Sequence, residues 1–217
     1  MPLTRRASDV LTAMAAAGGT ALCARLVAPG TVGDLEQAAF HAVNAWPDSL
    51  HWPLWSFQTL GVLGMPLVVA GGALICRRWR LAAGLVLLVP AKLFVEHGVL
   101  KELVHRERPG TTIPDAVLRD VPSAGLSFPS GHAIIAFGVV VLLWPYLRRR
   151  GRAVALTFAV LNSVARVYLG AHAPLDVLGG ALAGITVGAV LTLLLGVSPR
   201  RDAEAAGTGT STAERTV

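Results

Sequence analysis

Six apolar stretches, at 10–28, 54–76, 81–103, 130–147, 153–169 and 175–197, constrain this chain more than any other feature. Each is close to the roughly 20 residues that a helix needs to cross a bilayer. Lipid offers no partner to a backbone N–H or C=O, so a crossing segment must be a helix or join a closed barrel. These stretches are too long and too evenly apolar for the alternation of barrel strands. Composition agrees: 15% of the residues are charged, where a soluble domain carries about 25%. The expected fold class is all-α, a polytopic membrane protein with six transmembrane helices. It forms one domain over residues 1–197, followed by a small, polar, aperiodic tail at 198–217 that is expected to be disordered and cytoplasmic.

Charge then sets the orientation. The net charge of +6 is confined to short clusters and builds no basic face, which argues against a nucleic-acid partner. Arg5 and Arg6, then Arg77, Arg78 and Arg80, then Arg148, Arg149, Arg150 and Arg152, then Arg200 and Arg201 fall on every second connection. That places these connections and both termini in the cytoplasm. Trp46, Trp52 and Trp55 then mark the outer interface, and Trp79 and Trp144 the inner one. Leu26-Val27-Ala28 is a poor cleavage site, so the first stretch reads as a retained anchor rather than a signal peptide. Leu35, Ala38, Ala39, Ala42, Val43 and Trp46 recur at helical spacing, which predicts a short amphipathic helix on the outer surface. Cys23 and Cys76 fall in opposite leaflets, too far apart for a disulfide. The heavy use of Ala, Arg, Gly and Val points to a bacterium, hence to its inner (plasma) membrane.

With this topology the outer side, which should be poor in cations, collects them. Lys101 and Arg108 are seven residues apart, about two helical turns, and are expected on one helix face. In "FPSGH", Ser130 suits an N-cap and Gly131 removes side-chain bulk, so free N–H groups at a helix start can receive an anion. In "ARVYLGAHAPLDV", His172 and Asp176 are four apart, and Pro174 suits a first helical turn. Asp176 is expected to accept from one ring nitrogen of His172, fixing its tautomer and leaving the other nitrogen as a nucleophile. Arg166 lies inside an apolar run, where a charge is costly and usually functional. Lys92 and Glu96, also four apart, read as a structural ion pair facing the bundle. Singly, each stretch also fits interfacial cations or a plain helix cap.

In order and spacing the three stretches resemble the type 2 phosphatidic acid phosphatase superfamily. Its pattern is a lysine, six residues, then Arg-Pro; then Pro-Ser-Gly-His; then Ser-Arg, five residues, His, three residues, Asp. Lys101 with Arg108-Pro109, Pro129-Ser130-Gly131-His132, and Arg166, His172 and Asp176 match it. Ala165 stands where the pattern has serine. The resemblance implies that His172 attacks phosphorus to form a phosphohistidine and that Asp176 orients it. His132 would protonate the leaving oxygen and later activate water. Lys101, Arg108, Ser130, Gly131 and Arg166 would hold the phosphoryl oxygens, with no metal or other cofactor. His172 must be neutral while His132 is protonated, so a bell-shaped pH–rate profile is expected.

A site at the outer membrane–water boundary suits a lipid substrate arriving by lateral diffusion. The expected activity is hydrolysis of a lipid phosphate or diphosphate, of the phosphatidic acid, phosphatidylglycerol phosphate or undecaprenyl diphosphate type, all of which are handled within the family. Two further classes remain at this level: a lipid phosphoryl or headgroup transferase using the same phosphohistidine, and an anionic-lipid transporter without hydrolysis.

Overall fold

The computed structural model describes residues 7–196, and every regular element among them is helical apart from one isolated β-bridge, Glu107 with Leu126. The arginine clusters expected at both termini and the tail at 198–217 lie outside these residues. The long elements are α1 (Ala7–Val27), α2 (Asp34–Asn44), α3 (His51–Gln58), α4 (Met65–Ile75), α5 (Trp79–Leu93), α6 (Gly131–Leu143), α7 (Arg149–Tyr168) and α8 (Pro174–Leu195). A π-helical stretch, Phe94–Leu100, and one further turn carry α5 on to Leu103. Leu11, Met14 and Leu22 on α1, Val68 and Ile75 on α4, and Leu194 on α8 are exposed. Large apolar side chains turned outward on several helices suit a hydrocarbon surround rather than water.

Among the described residues three helices are long and apolar enough to cross a membrane: Ser8–Val27, Trp79–Leu103 and Pro174–Leu195. The stretch expected as one straight span at 54–76 is instead a pair, Asp48–Gly61 and Met65–Ile75, bent by 66°. "GVLGMP" supplies the cause: Gly61 and Gly64 lack helix propensity, and Pro66 starts a helix better than it continues one. The bend exposes the carbonyls at the end of α3, and Asn162 on α7 donates from Nδ2 to Phe57 O and Gln58 O, each at 3.1 Å. Irregular backbone at such depth survives only where protein satisfies it. Asn162→Ala should therefore lower stability by about 1–3 kcal/mol, read as a lower unfolding midpoint in detergent. The remaining expected spans are α6, which with the turn after it runs Gly131–Tyr146, and α7, whose apolar face is interrupted by Arg149, Arg150, Arg152 and Arg166.

Helix α6 sits at the centre, with Ala133, Ile134, Ile135, Ala136, Val140 and Leu142 buried. It lies against α8 along a stripe of small residues. A Cβ on Gly180 would be 2.5 Å from Ser130 O, one on Gly184 would be driven into the Ile134 backbone, and one on Gly188 would be 2.8 Å from Val141 Cβ. These steps rise together along both helices, so α6 and α8 run parallel and start at the same end. Glycine at four-residue intervals lets the backbones approach where the bilayer supplies no hydrophobic drive between helices.

The predicted amphipathic helix is α2. Its Leu35 is exposed, while Glu36, Phe40 and Asn44 turn toward the bundle. Asn44 Nδ2 donates to Val117 O at 2.8 Å and Tyr168 O at 2.9 Å. Arg119 donates to Asn44 O and Tyr168 O and lies over the Tyr168 ring. These contacts fasten the loop at 110–127 over the end where α6 and α8 begin.

Candidate active site

The three motif stretches meet at that end. The Ser130 N–H donates to Asp176 O at 2.9 Å, the Ser127 N–H to Arg106 O at 2.7 Å, and the Ala171 N–H to Arg166 O at 3.0 Å. Arg108 Nη1 donates to Ala171 O at 3.1 Å, next to His172. Backbone bonds alone thus bring the stretch after α5, the start of α6 and the turn between α7 and α8 into one cluster.

Lys101 and Arg108 do not share a helix face. The chain becomes extended at Val104 (φ −131°, ψ 109°). Glu107 pairs with Leu126 across the isolated bridge, and Pro109 disfavours helix in the residue before it. Tertiary pairing with the segment leading into α6 therefore replaces the second helical turn. Arg108 reaches the cluster from a loop, and Lys101 from the last helical turn.

Lys101 Nζ donates to Glu96 Oε1 at 2.7 Å, and Lys92 pairs with the same carboxylate, as the four-residue spacing predicted. That carboxylate packs on the start of α6: a Cβ on Gly131 would be 2.6 Å from Glu96 Oε2. Half-buried His132 is backed by the bend between α3 and α4, where a Cβ on Gly61 would be 2.6 Å from His132 Cβ. Arg166 is buried and pairs through Nη1 with Gln58 Oε1. Ala165 is buried with Leu54, Tyr168 and Leu169, an apolar setting in which a methyl leaves no hydroxyl to satisfy.

The expected direct bond from His172 to Asp176 is absent among the described residues. Ser127 stands between them: its hydroxyl donates to Asp176 Oδ2 at 2.5 Å, and its oxygen lies 3.4 Å from His172 Nδ1. With the serine proton committed to the carboxylate, the serine oxygen can only accept, so Nδ1 carries the imidazole proton and Nε2 is left with its lone pair. The reason Asp176 does not reach the ring lies at the start of α8, where it accepts the Ala173 N–H at 2.8 Å, the reach-back of a third-position acid to its own N-cap.

Asp176 has a second, unexpected partner. Arg106, wholly buried, donates from Nη1 to Asp176 Oδ1 at 3.1 Å and forks onto Glu36 of α2 through Nη1 and Nη2. Glu36 also accepts the Leu175 N–H at 2.9 Å. Ser127, Arg106 and Glu36 are thus site residues that sequence reasoning missed. Ser127 left a signal, sitting within "SFPSGH", but Arg106 and Glu36 are 70 residues apart and only the fold joins them.

Burial pushes the His172 imidazole well below its ordinary value, and Arg166, Arg108, His132 and Lys101 act in the same direction. Buried Ser130 Oγ and Arg166 Nε have no hydrogen-bond partner among the described residues. Buried polar atoms are rarely left so, and here both belong to residues expected to grip an anion. Among the described residues no group of three His, Cys, Asp or Glu is placed to hold a metal ion.

The chain is 38% identical over 112 residues to the decaprenylphosphoryl-5-phosphoribose phosphatase of Mycobacterium tuberculosis, covering 48% of this chain and 58% of that protein. It is 35% identical over 130 residues to phosphatidylglycerophosphatase B of Bacillus subtilis, covering 55% and 61%. The matches thus span less than two thirds of either relative. Its fold superposes on the crystal structure of Aquifex aeolicus LpxE with a TM-score of 0.59 and 26% identity, covering 74% of this chain and 98% of that one. Residues 79–199, which contain all three motif stretches and more than half of the sequence, match the PAP2 superfamily, and the chain belongs to that superfamily.

Proposed function

We propose that this protein is a multi-pass membrane phosphatase with six crossings and both termini in the cytoplasm, hydrolysing a lipid phosphate or diphosphate at the extracytoplasmic face. The observation that carries the reading is the meeting, in one buried cluster, of His172 Nε2, Ser130 Oγ and Arg166 Nε, none of which has a hydrogen-bond partner among the described residues. Family membership supports it, as do the names of the two relatives, both phosphatases of lipid esters. The arginine clusters at 77–80 and 148–152 lie at the opposite end of the bundle from the site, which under the positive-inside bias supports an outward-facing site.

Hydrolysis then proceeds in two displacements. His172 Nε2 attacks phosphorus, the bond to the leaving oxygen breaks, and His132 gives that oxygen its proton. Arg108, Arg166, Lys101, Ser130 Oγ and the Gly131 N–H hold the equatorial oxygens as their charge redistributes. Asp176, through Ser127, keeps the proton on Nδ1 and stabilises the charge that His172 gains. His132, now neutral, removes a proton from water, which attacks the phosphohistidine and releases inorganic phosphate.

The deciding experiment uses purified protein in detergent with EDTA and a panel of phosphatidic acid, phosphatidylglycerol phosphate and polyprenyl diphosphate. Wild type should release phosphate and accumulate an acid-labile phosphoenzyme on rapid quench. His172→Ala should lose at least about 10³-fold in rate along with the phosphoenzyme. Equal phosphate release by both proteins refutes the reading, and transfer only to an added alcohol reassigns it to a transferase. The pH profile offers a separate check. Since the folded pKa of His172 is depressed, the ring stays neutral as pH falls through about 6.5, where free imidazole protonates. The acid limb of kcat/KM assigned to His172 should therefore lie below that value.

A further inference from the structure

We infer that Glu96 is a resident anion of the phosphate site, a positioning residue that holds Lys101 beside the start of α6 while the site is empty and yields it to an incoming phosphoryl oxygen. The inference rests on the phosphatase reading above and deepens it by specifying how the site releases inorganic phosphate.

Glu96 is a carboxylate inside a membrane-spanning helix, 5% exposed, and the chemistry above gives it no task. Its place is built by a departure from regular helix. In an α-helix Lys101, five residues on, would lie well round the cylinder from Glu96. The π-helical stretch Phe94–Leu100 has about one more residue per turn and brings the two side chains into line, with Nζ 2.7 Å from Oε1. Such stretches are rare and concentrate at functional sites. Lys92, four residues before in regular helix, supplies the second cation.

The carboxylate occupies the ground a phosphate needs. It packs on Gly131 so closely that any side chain there would collide with Oε1 and Oε2, and Gly131 with Ser130 forms the anion-binding start of α6. A phosphoryl dianion held there and by Lys101 comes within contact range of a like charge, which disfavours the pair of anions. The second lysine resolves the conflict. Lys92 keeps Glu96 paired while Lys101 turns to the ester, and Lys101 returns when phosphate departs. Two lysines and one carboxylate carry a net charge of +1; without the carboxylate the same corner carries +2, and product phosphate is retained.

Glu96→Gln and Lys92→Met, assayed in detergent against a lipid phosphate with inorganic phosphate as product inhibitor, give opposite expectations. Glu96→Gln should lower the inhibition constant for phosphate by about tenfold or more and lower kcat and KM together, because release becomes limiting. Lys92→Met leaves Lys101 as the nearest partner of Glu96, with His97 Nε2 more distant at 3.7 Å from Oε1, and should raise the inhibition constant severalfold. If Glu96→Gln raises or leaves unchanged the inhibition constant, Glu96 is a strut and the inference is overturned. Should Glu96→Gln fail to fold, Lys92→Met decides: an unchanged or lowered constant overturns the inference. Wild type that hydrolyses and is inhibited by phosphate, with variants that do not diverge, sinks the inference alone. Wild type that hydrolyses nothing sinks the phosphatase reading itself.

Discussion

Arg106→Met is expected to destabilise the protein by about 3–5 kcal/mol and to abolish turnover. Arg106 has no exposed surface and its guanidinium is the shared counter-ion of Glu36 and Asp176. Removing it leaves two carboxylates in a water-poor interior, one of them hydrogen-bonded to Ser127, which in turn contacts His172. The effect should depend on Glu36. Glu36→Gln in the Arg106→Met background removes one stranded charge, so the double variant should unfold later than Arg106→Met alone, with a coupling of about 1–3 kcal/mol. Unfolding midpoints of the four proteins in one detergent measure it. Additivity within about 0.5 kcal/mol would show that the three groups do not act as a unit.

The second large effect is expected where α6 meets α8. A Cβ on Gly180 would lie 2.5 Å from Ser130 O, and one on Gly184 would meet Ile134 Cα at 2.9 Å. Neither neighbour is a side chain that can swing away; both are backbone of the central helix. Gly184→Val should force the helices apart and cost about 1–3 kcal/mol or more, seen as loss of folded protein after detergent extraction. Gly180→Ala adds one carbon at the level of Ser130. Displacements near 1 Å at a reacting centre can cost about a hundredfold, so kcat should fall by that order while most of the stability remains. A fall in the unfolding midpoint without loss of kcat would place the glycine outside the geometry of the site.

Much of this architecture is legible in the sequence because lipid reduces the options. Long apolar runs become helices, and motif spacing gathers the cations at the ends of those runs. The stripe of Gly180, Gly184 and Gly188 is equally plain in the sequence, though its meaning depends on knowing which helix it faces. What the sequence hides are the departures from regular helix. The break at Gly61–Gly64 was masked by hydropathy, since the bend is as apolar as the helices it joins. Lys101 and Arg108 have helical spacing, yet a cross-chain bridge at Glu107 overrides it. Arg106 and Arg108 look alike on paper; one is locked against Glu36 and Asp176, and the other donates to the carbonyl beside His172. Asp176 satisfies its spacing to His172 but is claimed first by the Ala173 N–H, so a serine from another segment bridges the gap.

The common starting end of α6 and α8 has one more implication. Two parallel helices there point two positive macrodipole ends the same way, each worth roughly half a charge. They are not equally available. The first amides of α8 are already answered from within the chain, the Ala173 N–H by Asp176 and the Leu175 N–H by Glu36. At α6 no side chain caps the terminus. Intramolecular acids thus bond the first amides of one terminus, whereas its twin meets only the Glu96 carboxylate packed on Gly131, so the two poles are not equivalent toward an incoming anion.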